Sequence, residues 1–345
     1  MSTSEGVLLF GVGLMLAALA TQSSPVFAGS SNLFQRAAVE RLERKQAARA
    51  GRLTLPLPGT PDTDRPLTRL VAAGLSFGAP MMIRVFKAES QLEVWMQKDG
   101  VFVPFAVYPI CYWSGSLGPK LREGDRQSPE GFYTISEAEL HHGDRWRRSL
   151  DLGYPNAFDR VNGRSGSVIL VHGGCDSIGC FAMTNAVNAE LYELVSASLR
   201  NGQVHVPVHV FPFRMTAENM AAAPAGSWKD FWDDLRQGYD SFERTHLPPH
   251  VSVCGKRYRV EDALRGGRDA GAIEICAQDR DLIPDHLQER PRLEEAALKP
   301  QRAEPPPPCD LVRASCRKWV ALRDRRASSH VVARGGNERK RSKVQ

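Results

Sequence analysis

Alternation of apolar and polar positions begins near residue 81 and governs the reading of the chain. Met81-Met-Ile-Arg-Val-Phe86 and Leu92-Glu-Val-Trp-Met96 alternate as half-buried strands do, and the Lys98-Asp-Gly100 turn leads into a third run, Val101 to Tyr108. Such hairpins predict a largely antiparallel sheet. Val168 to Val171 is a continuous apolar run, read as a buried strand that ends at His172. Further on, Thr184 or Asn185 can cap a helix whose stripe runs through Val187, Leu191, Leu194 and Val195. Val204 to Val210 alternates again and places His205 and His209 on one strand face, as satisfied sheet histidines rather than a metal pair. Trp228, Phe231, Trp232, Leu235, Tyr239 and Phe242 fall at helical spacing behind a Ser227 cap, a stripe suited to packing on a sheet. Together these elements predict an α+β, β-rich fold.

The flanks read differently. Val7 to Ala20 is a mostly apolar run too short to span a bilayer comfortably, and Val26-Phe-Ala28 offers a small-x-small cleavage cue. Residues 1–28 are therefore expected to be an export signal, although Glu5 and the lack of an early Lys or Arg make it atypical, so that a retained anchor is the competing reading. Ser31 to Gly51 shows only a broken stripe (Leu33, Ala37, Val39, Leu42) and predicts a short exposed helix; Leu55-Pro-Leu-Pro-Gly-Thr-Pro61 predicts a linker. The division expected is a signal at 1–28, a linker with a short helix at 29–79, a catalytic domain at 80–215, a packed helical extension at 216–278 and a disordered tail at 279–345.

Charge supports that division. The net charge of +6 invites a nucleic-acid reading, but residues from Asp279 onward carry 16 Lys and Arg against 10 Asp and Glu, which accounts for all of it. The predicted folded part is neutral, so nucleic acid is excluded as its partner, and the basic tail is expected to meet acidic envelope polymers or lipids. Pro305 to Pro308 and the Glu/Arg-rich segments around it favour disorder, with one short helix near Trp319. Seven cysteines in an exported chain is an odd number. With Cys180 free, the other six (111, 175, 254, 276, 309, 316) allow 15 pairings. Cys254 with Cys276 is one candidate, and Cys175 lies close enough to Cys180 to matter for oxidation.

The chemistry concentrates after the fourth apolar run, in His172-Gly-Gly-Cys175-Asp-Ser177-Ile-Gly179-Cys180-Phe-Ala-Met183. A thiol nucleophile must be exposed, close to a base and near amide N–H groups that can hold an oxyanion. Cys180 and His172 are the candidate nucleophile and base, and the glycines leave the loop free to aim its amides. The plainer readings are a small core cysteine, a disulfide half, or a metal ligand with His172 and Cys175. Ser114 to Gly131, rich in Gly and Pro, predicts an ordered loop whose Lys120, Arg122, Asp125 and Arg126 line a cleft. His141 and His142 are read as surface residues.

The signature His172-Gly-x-x-x-Ser177-x-Gly179-Cys180 resembles the active site of the L,D-transpeptidase (YkuD) family, most closely its YafK-like branch. Phe86-Lys-Ala-Glu-Ser-Gln-Leu-Glu-Val-Trp95, Tyr108-Pro-Ile-Cys111, Gly118-Pro-Lys120, Gly124 to Tyr133, Gly153-Tyr-Pro-Asn156 and Phe211-Pro-Phe-Arg-Met215 resemble that branch in the same order, over about residues 80 to 255. The wider family has a histidine two before its cysteine and an arginine two after; Ile178 and Ala182 stand there, and the loop is shorter, changes shared by the branch. The resemblance implies a periplasmic cysteine acyltransferase acting on peptidoglycan stem peptides, with no metal or organic cofactor. It implies Cys180 as nucleophile, His172 as acid and base, Gly179 and Cys180 amides as oxyanion hole, and a possible role for Ser177 in orienting the histidine. Lys120, Asp125, Tyr154 and Met183 are the substrate-contact candidates. A hydrolase on the same scaffold, such as one releasing a lysine-linked envelope lipoprotein, and a non-catalytic wall-binding module are the competing readings. A helix starting just beyond Cys180 is expected to help stabilise a thiolate.

Overall fold

The computed structural model describes residues 25–142, 148–223, 226, 228–265, 271, 273–284 and 287. The predicted signal up to residue 24, the tail from 288 and the helix expected near Trp319 lie outside the described residues. Helix α1 (Pro25–Arg49) and the short α2 (Pro66–Ala72) precede the sheets. Strands β1 (Met81–Phe86), β2 (Gln91–Lys98) and β3 (Val101–Pro109) form the two hairpins read from the alternation, in antiparallel register. They are followed by β4 (Tyr112–Trp113), β5 (Gly131–Ile135), β6 (Leu140–His141) and β7 (Ser149–Asp151). Helix α3 (Ala157–Val161), β8 (Leu170–Gly173), β9 (Phe181–Met183), α4 (Asn185–Arg200) and β10 (Val206–Phe211) come next. The chain continues with α5 (Ala217–Ala222), α6 (Lys229–Thr245), β11 (His250–Cys254), β12 (Arg257–Glu261) and β13 (Glu274–Ile275).

Two five-stranded sheets carry the domain, ordered β3-β2-β1-β10-β5 and β4-β9-β8-β7-β6. Both are mixed. β1 runs parallel to β10, and β8 runs parallel to β9. Their inner faces share one apolar core with α4, built on Ile83, Val85, Val94, Val171, Phe181, Leu191, Val195 and Val208. Each side is thus dry enough to fix strand register, because a slip of one residue would turn this set outward. Thr184 caps α4 by accepting a hydrogen bond from the Val187 N–H, one of the two caps the sequence allowed.

A second cluster lies on the other face of the first sheet, where α6 sets Phe231, Trp232, Leu235 and Tyr239 against Phe86, Phe132, Phe211 and Phe213. That is the predicted aromatic stripe. The cap differs: Trp228 holds the N-cap position without a side-chain bond, and Ser227 lies outside the described residues. Residues 216–278 are also less helical than expected, since β11, β12 and β13 make a three-stranded sheet there. Its Tyr258 is buried and stacks on Phe158. Order persists past residue 279, where the Asp279 carboxylate accepts a hydrogen bond from the Gly255 N–H at 2.5 Å.

The region expected to be a linker is packed instead. α1 is 25 residues long, its Arg41 is buried, and Leu57 joins a small cluster with Cys111 and Cys175. The broken stripe misled because α1 is held by polar groups, leaving Val39 and Leu42 exposed. His209 is buried between Phe132 and Phe211, while His205 precedes β10. His141 is half-buried, and the exposed His142 meets the Tyr192 hydroxyl.

Leu235→Ala removes a fully buried anchor of α6 and is expected to cost about 2–5 kcal/mol in a urea titration. A change within about 0.5 kcal/mol, the range of surface substitutions, would mean α6 does not pack on the sheet.

Candidate active site

The signature loop joins two adjacent strands. β8 ends at Gly173, β9 begins at Phe181, and their parallel register pairs Val171 with Phe181 and His172 with Ala182. The loop at 174–180 therefore returns to a point about 8 Å from where it left, a distance set by strand spacing and rise. Two glycines are constrained where it leaves β8. A side chain at Gly173 would run into Asn185 Oδ1, and Gly174 has φ +107°, where L side chains rarely sit.

Cys180 occupies the last loop position. It is the free cysteine among the described residues and is partly exposed. Its Sγ accepts a hydrogen bond from the Leu170 N–H of β8 at 3.3 Å. Burial pushes the thiol above its ordinary range, the Leu170 N–H works against that, and the facing charges of Asp151 and Lys120 act in opposite senses. The expected help from a following helix is missing. A strand, β9, intervenes, so α4 begins five residues beyond Cys180, behind its Thr184 cap.

His172 is partly buried in β8. Its Nδ1 lies 2.6 Å from the Gly173 carbonyl. A carbonyl only accepts, so Nδ1 carries the proton and Nε2 is left with the lone pair. Burial lowers the imidazole pKa, while the Gly173 carbonyl and the Asp176 charge pull the other way. The site thus rests as neutral imidazole and neutral thiol.

Ser177 does not orient the histidine. Its hydroxyl donates to the Cys180 carbonyl at 2.8 Å and accepts the Gly179 N–H at 3.1 Å. The Gly179 amide is thereby committed inside the loop, which removes it from the expected oxyanion pair. Of the four substrate-contact candidates, Lys120 and Asp125 pair at 2.6 Å, and the same carboxylate accepts N–H groups from Leu121, Arg122 and Gln127. Burial tends to raise the Asp125 pKa, but Lys120 and these amides hold it below the usual carboxylate range. Tyr154 is buried, its hydroxyl donating toward the Lys120 and Ser165 carbonyls. Met183 is fully buried in the core, with no surface to offer a substrate. β9 points it inward because it follows Phe181 by two residues on the same strand face.

Several supporting groups escaped the sequence reading. Cys175 is bonded to Cys111, so it is no free thiol beside Cys180, and Cys254 is bonded to Cys276. Cys254–Cys276 is the pairing the sequence offered as a candidate, whereas the odd cysteine count gave no pointer to the Cys111–Cys175 bridge. Arg49 of α1 forms a two-nitrogen clasp on Asp176 at 3.0–3.2 Å, with Lys45 at 3.6 Å. Arg41 donates to the carbonyls of Trp113 and Gly115 and stacks 3.4 Å over the Trp113 ring. Among the described residues no group of His, Cys, Asp and Glu is arranged to hold a metal ion. No helix among them is long and apolar enough to cross a membrane.

The model of the YkuD family, the L,D-transpeptidase catalytic domain, matches residues 80–210. The chain is 43% identical over 187 residues to YafK of Escherichia coli K12, a provisionally named L,D-transpeptidase, over 54% of this chain and 76% of that protein. It therefore belongs to the YkuD L,D-transpeptidase family. The Escherichia coli O157:H7 YafK matches to the same extent. Among solved structures, the helical cell shape determining protein Pgp2 of Campylobacter jejuni is 20% identical with a TM-score of 0.32, covering 52% of this chain and 67% of that one. Bd1075 of Bdellovibrio bacteriovorus is 21% identical with a TM-score of 0.28, over 48% of this chain and 56% of that one. The YkuD match spans β1 to nearly the end of β10, so α1 and α6 are additions around it.

Peptide mapping after alkylation without reductant is expected to label Cys180 and to leave Cys111, Cys175, Cys254 and Cys276 unlabelled until reduction. The double variant Cys111→Ala/Cys175→Ala is expected to lose about 2–4 kcal/mol of stability. Labelling of Cys175 in the unreduced protein would contradict the pairing.

Proposed function

We propose that this chain is a periplasmic L,D-transpeptidase acting on peptidoglycan stem peptides. The observation that carries the reading is a free, partly exposed thiol bonded to β8 at Leu170, two residues along that strand from a histidine whose Nδ1–H is spent on its own strand's carbonyl. In the proposed reaction Nε2 of His172 takes the Cys180 proton as Sγ attacks the carbonyl on the L-centre of diaminopimelate. The Cys180 N–H supports the oxyanion. The C–N bond to the following D-residue then breaks, and His172 returns the proton to the departing amine. An acceptor amine attacks the thioester, His172 receives its proton, and the thiol is restored. Acceptors of fitting chemistry are another stem peptide or a lysine of an envelope lipoprotein. No cofactor enters this scheme.

Water as acceptor is the second reading, and Ala182 favours it. The residue paired with His172 is a buried alanine, so no guanidinium is offered there to hold a carboxylate. Whether amine or water wins depends on how well the cleft excludes solvent. Supplying tetrapeptide muropeptides with and without an amine acceptor decides between them: cross-linked or exchanged product supports transfer, and tripeptide alone whatever the acceptor supports hydrolysis.

Cys180→Ala is expected to abolish turnover with the fold retained, and His172→Ala to leave almost none. The pH dependence follows from the neutral pair. His172 loses its role as base only when protonated, so the acid limb of kcat/KM is expected below the ordinary histidine range of about 6.5. Alkylation of Cys180, which needs the thiolate, is expected to accelerate only above the ordinary thiol range of about 8.5. A thiol that alkylates fully at pH 6 would overturn this assignment of protons.

A further inference from the structure

A lysine and a glutamate lie wholly buried beneath the loop that faces the nucleophile. Lys87 and Glu130 are both inaccessible to solvent and pair at 2.8 Å. The three donors of the ammonium are all used, on Glu130 and on the carbonyls of Gly118 and Ser128, at 2.8–3.0 Å. The carboxylate in turn accepts the Gly118 N–H at 2.6 Å and the Trp232 indole N–H of α6 at 2.9 Å. Such a pair adds little net stability over apolar side chains of the same shape, because both charges are taken out of water. What it does fix is backbone: both polar groups of Gly118 and the carbonyl of Ser128.

Ser128 is the link to the site. Its N–H and hydroxyl are paired with Ser114, whose carbonyl and N–H they meet at 3.0 and 3.1 Å. Its hydroxyl also donates to the Cys180 carbonyl at 3.3 Å. Ser177 reaches the same carbonyl, but from inside the signature loop, so it moves wherever that loop moves. Ser128 belongs to a different segment, anchored on the buried pair. We propose that Lys87 and Glu130 are positioning residues that set the reactivity of the Cys180 thiol, by holding the Ser128 hydroxyl against the Cys180 carbonyl. The inference rests on the reading of Cys180 as nucleophile. The hydroxyl dipole offsets the partial negative charge of a carbonyl a few bonds from the sulfur, which otherwise opposes a thiolate. It also fixes the peptide that aims Cβ.

The test is the rate of Cys180 alkylation by iodoacetamide against pH, mapped by peptide mass spectrometry in the full chain, with turnover of muropeptides measured in parallel. Ser128→Ala is expected to move the alkylation profile to higher pH and to lower kcat roughly tenfold with KM little changed. Lys87→Met is expected to do the same, and the double variant Lys87→Met/Ser128→Ala to be no worse than either alone, since the two act along one path. Near-ultraviolet circular dichroism reports whether each variant is folded; where Lys87→Met is not, Glu130→Gln takes its place in the cycle. An unchanged profile in Ser128→Ala overturns the proposal, as do additive losses in the double variant. A folded charge variant that melts earlier but alkylates normally assigns the pair to stability alone and overturns it too, as does failure of both charge variants to fold. Because alkylation needs no substrate, absence of muropeptide turnover in the unsubstituted protein would sink the proposed reaction and leave this measurement intact.

Discussion

The constraint on which the rest depends is the parallel pairing of β8 with β9 across so short a connection. Parallel neighbours are ordinarily joined by a crossover of a dozen or more residues. Here residues 174–180 suffice, because both strands are short and the loop doubles back on itself. That geometry makes neighbours of two residues eight positions apart. His172 lies just before the loop leaves, and Cys180 is where it returns. Everything around the loop stops it from relaxing: the bridge from Cys175 to Cys111, the clasp of Arg49 on Asp176, and the hydroxyls of Ser177 and Ser128 on one carbonyl.

Burial has opposite consequences for the two reactive groups, and both favour the uncharged form. It raises the thiol and lowers the imidazole, so neither ion is stable at rest. The help to a thiolate expected from a helix N-terminus behind the cysteine is absent, and the proposed reaction therefore has to move the thiol proton during attack. The intervening strand β9 is the cause. It carries Cys180 away from the start of α4 and ties it to the hydrogen-bonding row of β8 instead.

Much of the fold could be read from the chain, for reasons visible in particular residues. β3 and α6 alternate or recur with clean periods because each has a dry face and a wetter one, whereas β1, read as half-buried, is buried on both faces, under the shared core on one side and α6 on the other. β11 and β13 carry no such contrast, and β12 alternates over only five residues, too short a run to stand out. Cys180 and His172 could be named as candidates from local order alone, since they flank one short connection. Ser128 and Asp151 could not, because their place depends on segments distant in sequence. α1 was missed for another reason: it is attached by guanidinium groups to carbonyls and a ring, so it lacks the apolar stripe by which packed helices are recognised.

That mode of attachment means the domain recognisable by sequence is smaller than the physical one. A chain beginning at residue 80 would retain every reactive group and still be cut through a joint. β4 is the outermost strand of its sheet and only two residues long, and α1 is what covers it. Without the helix, the Trp113 ring would lose the cation stacked upon it, and an unprotected sheet edge would face solvent beside the site, the kind of edge on which other chains pair. Asp176 would be left as a bare charge near His172. The serviceable boundary for producing this enzyme family member as a fragment therefore lies ahead of Arg41.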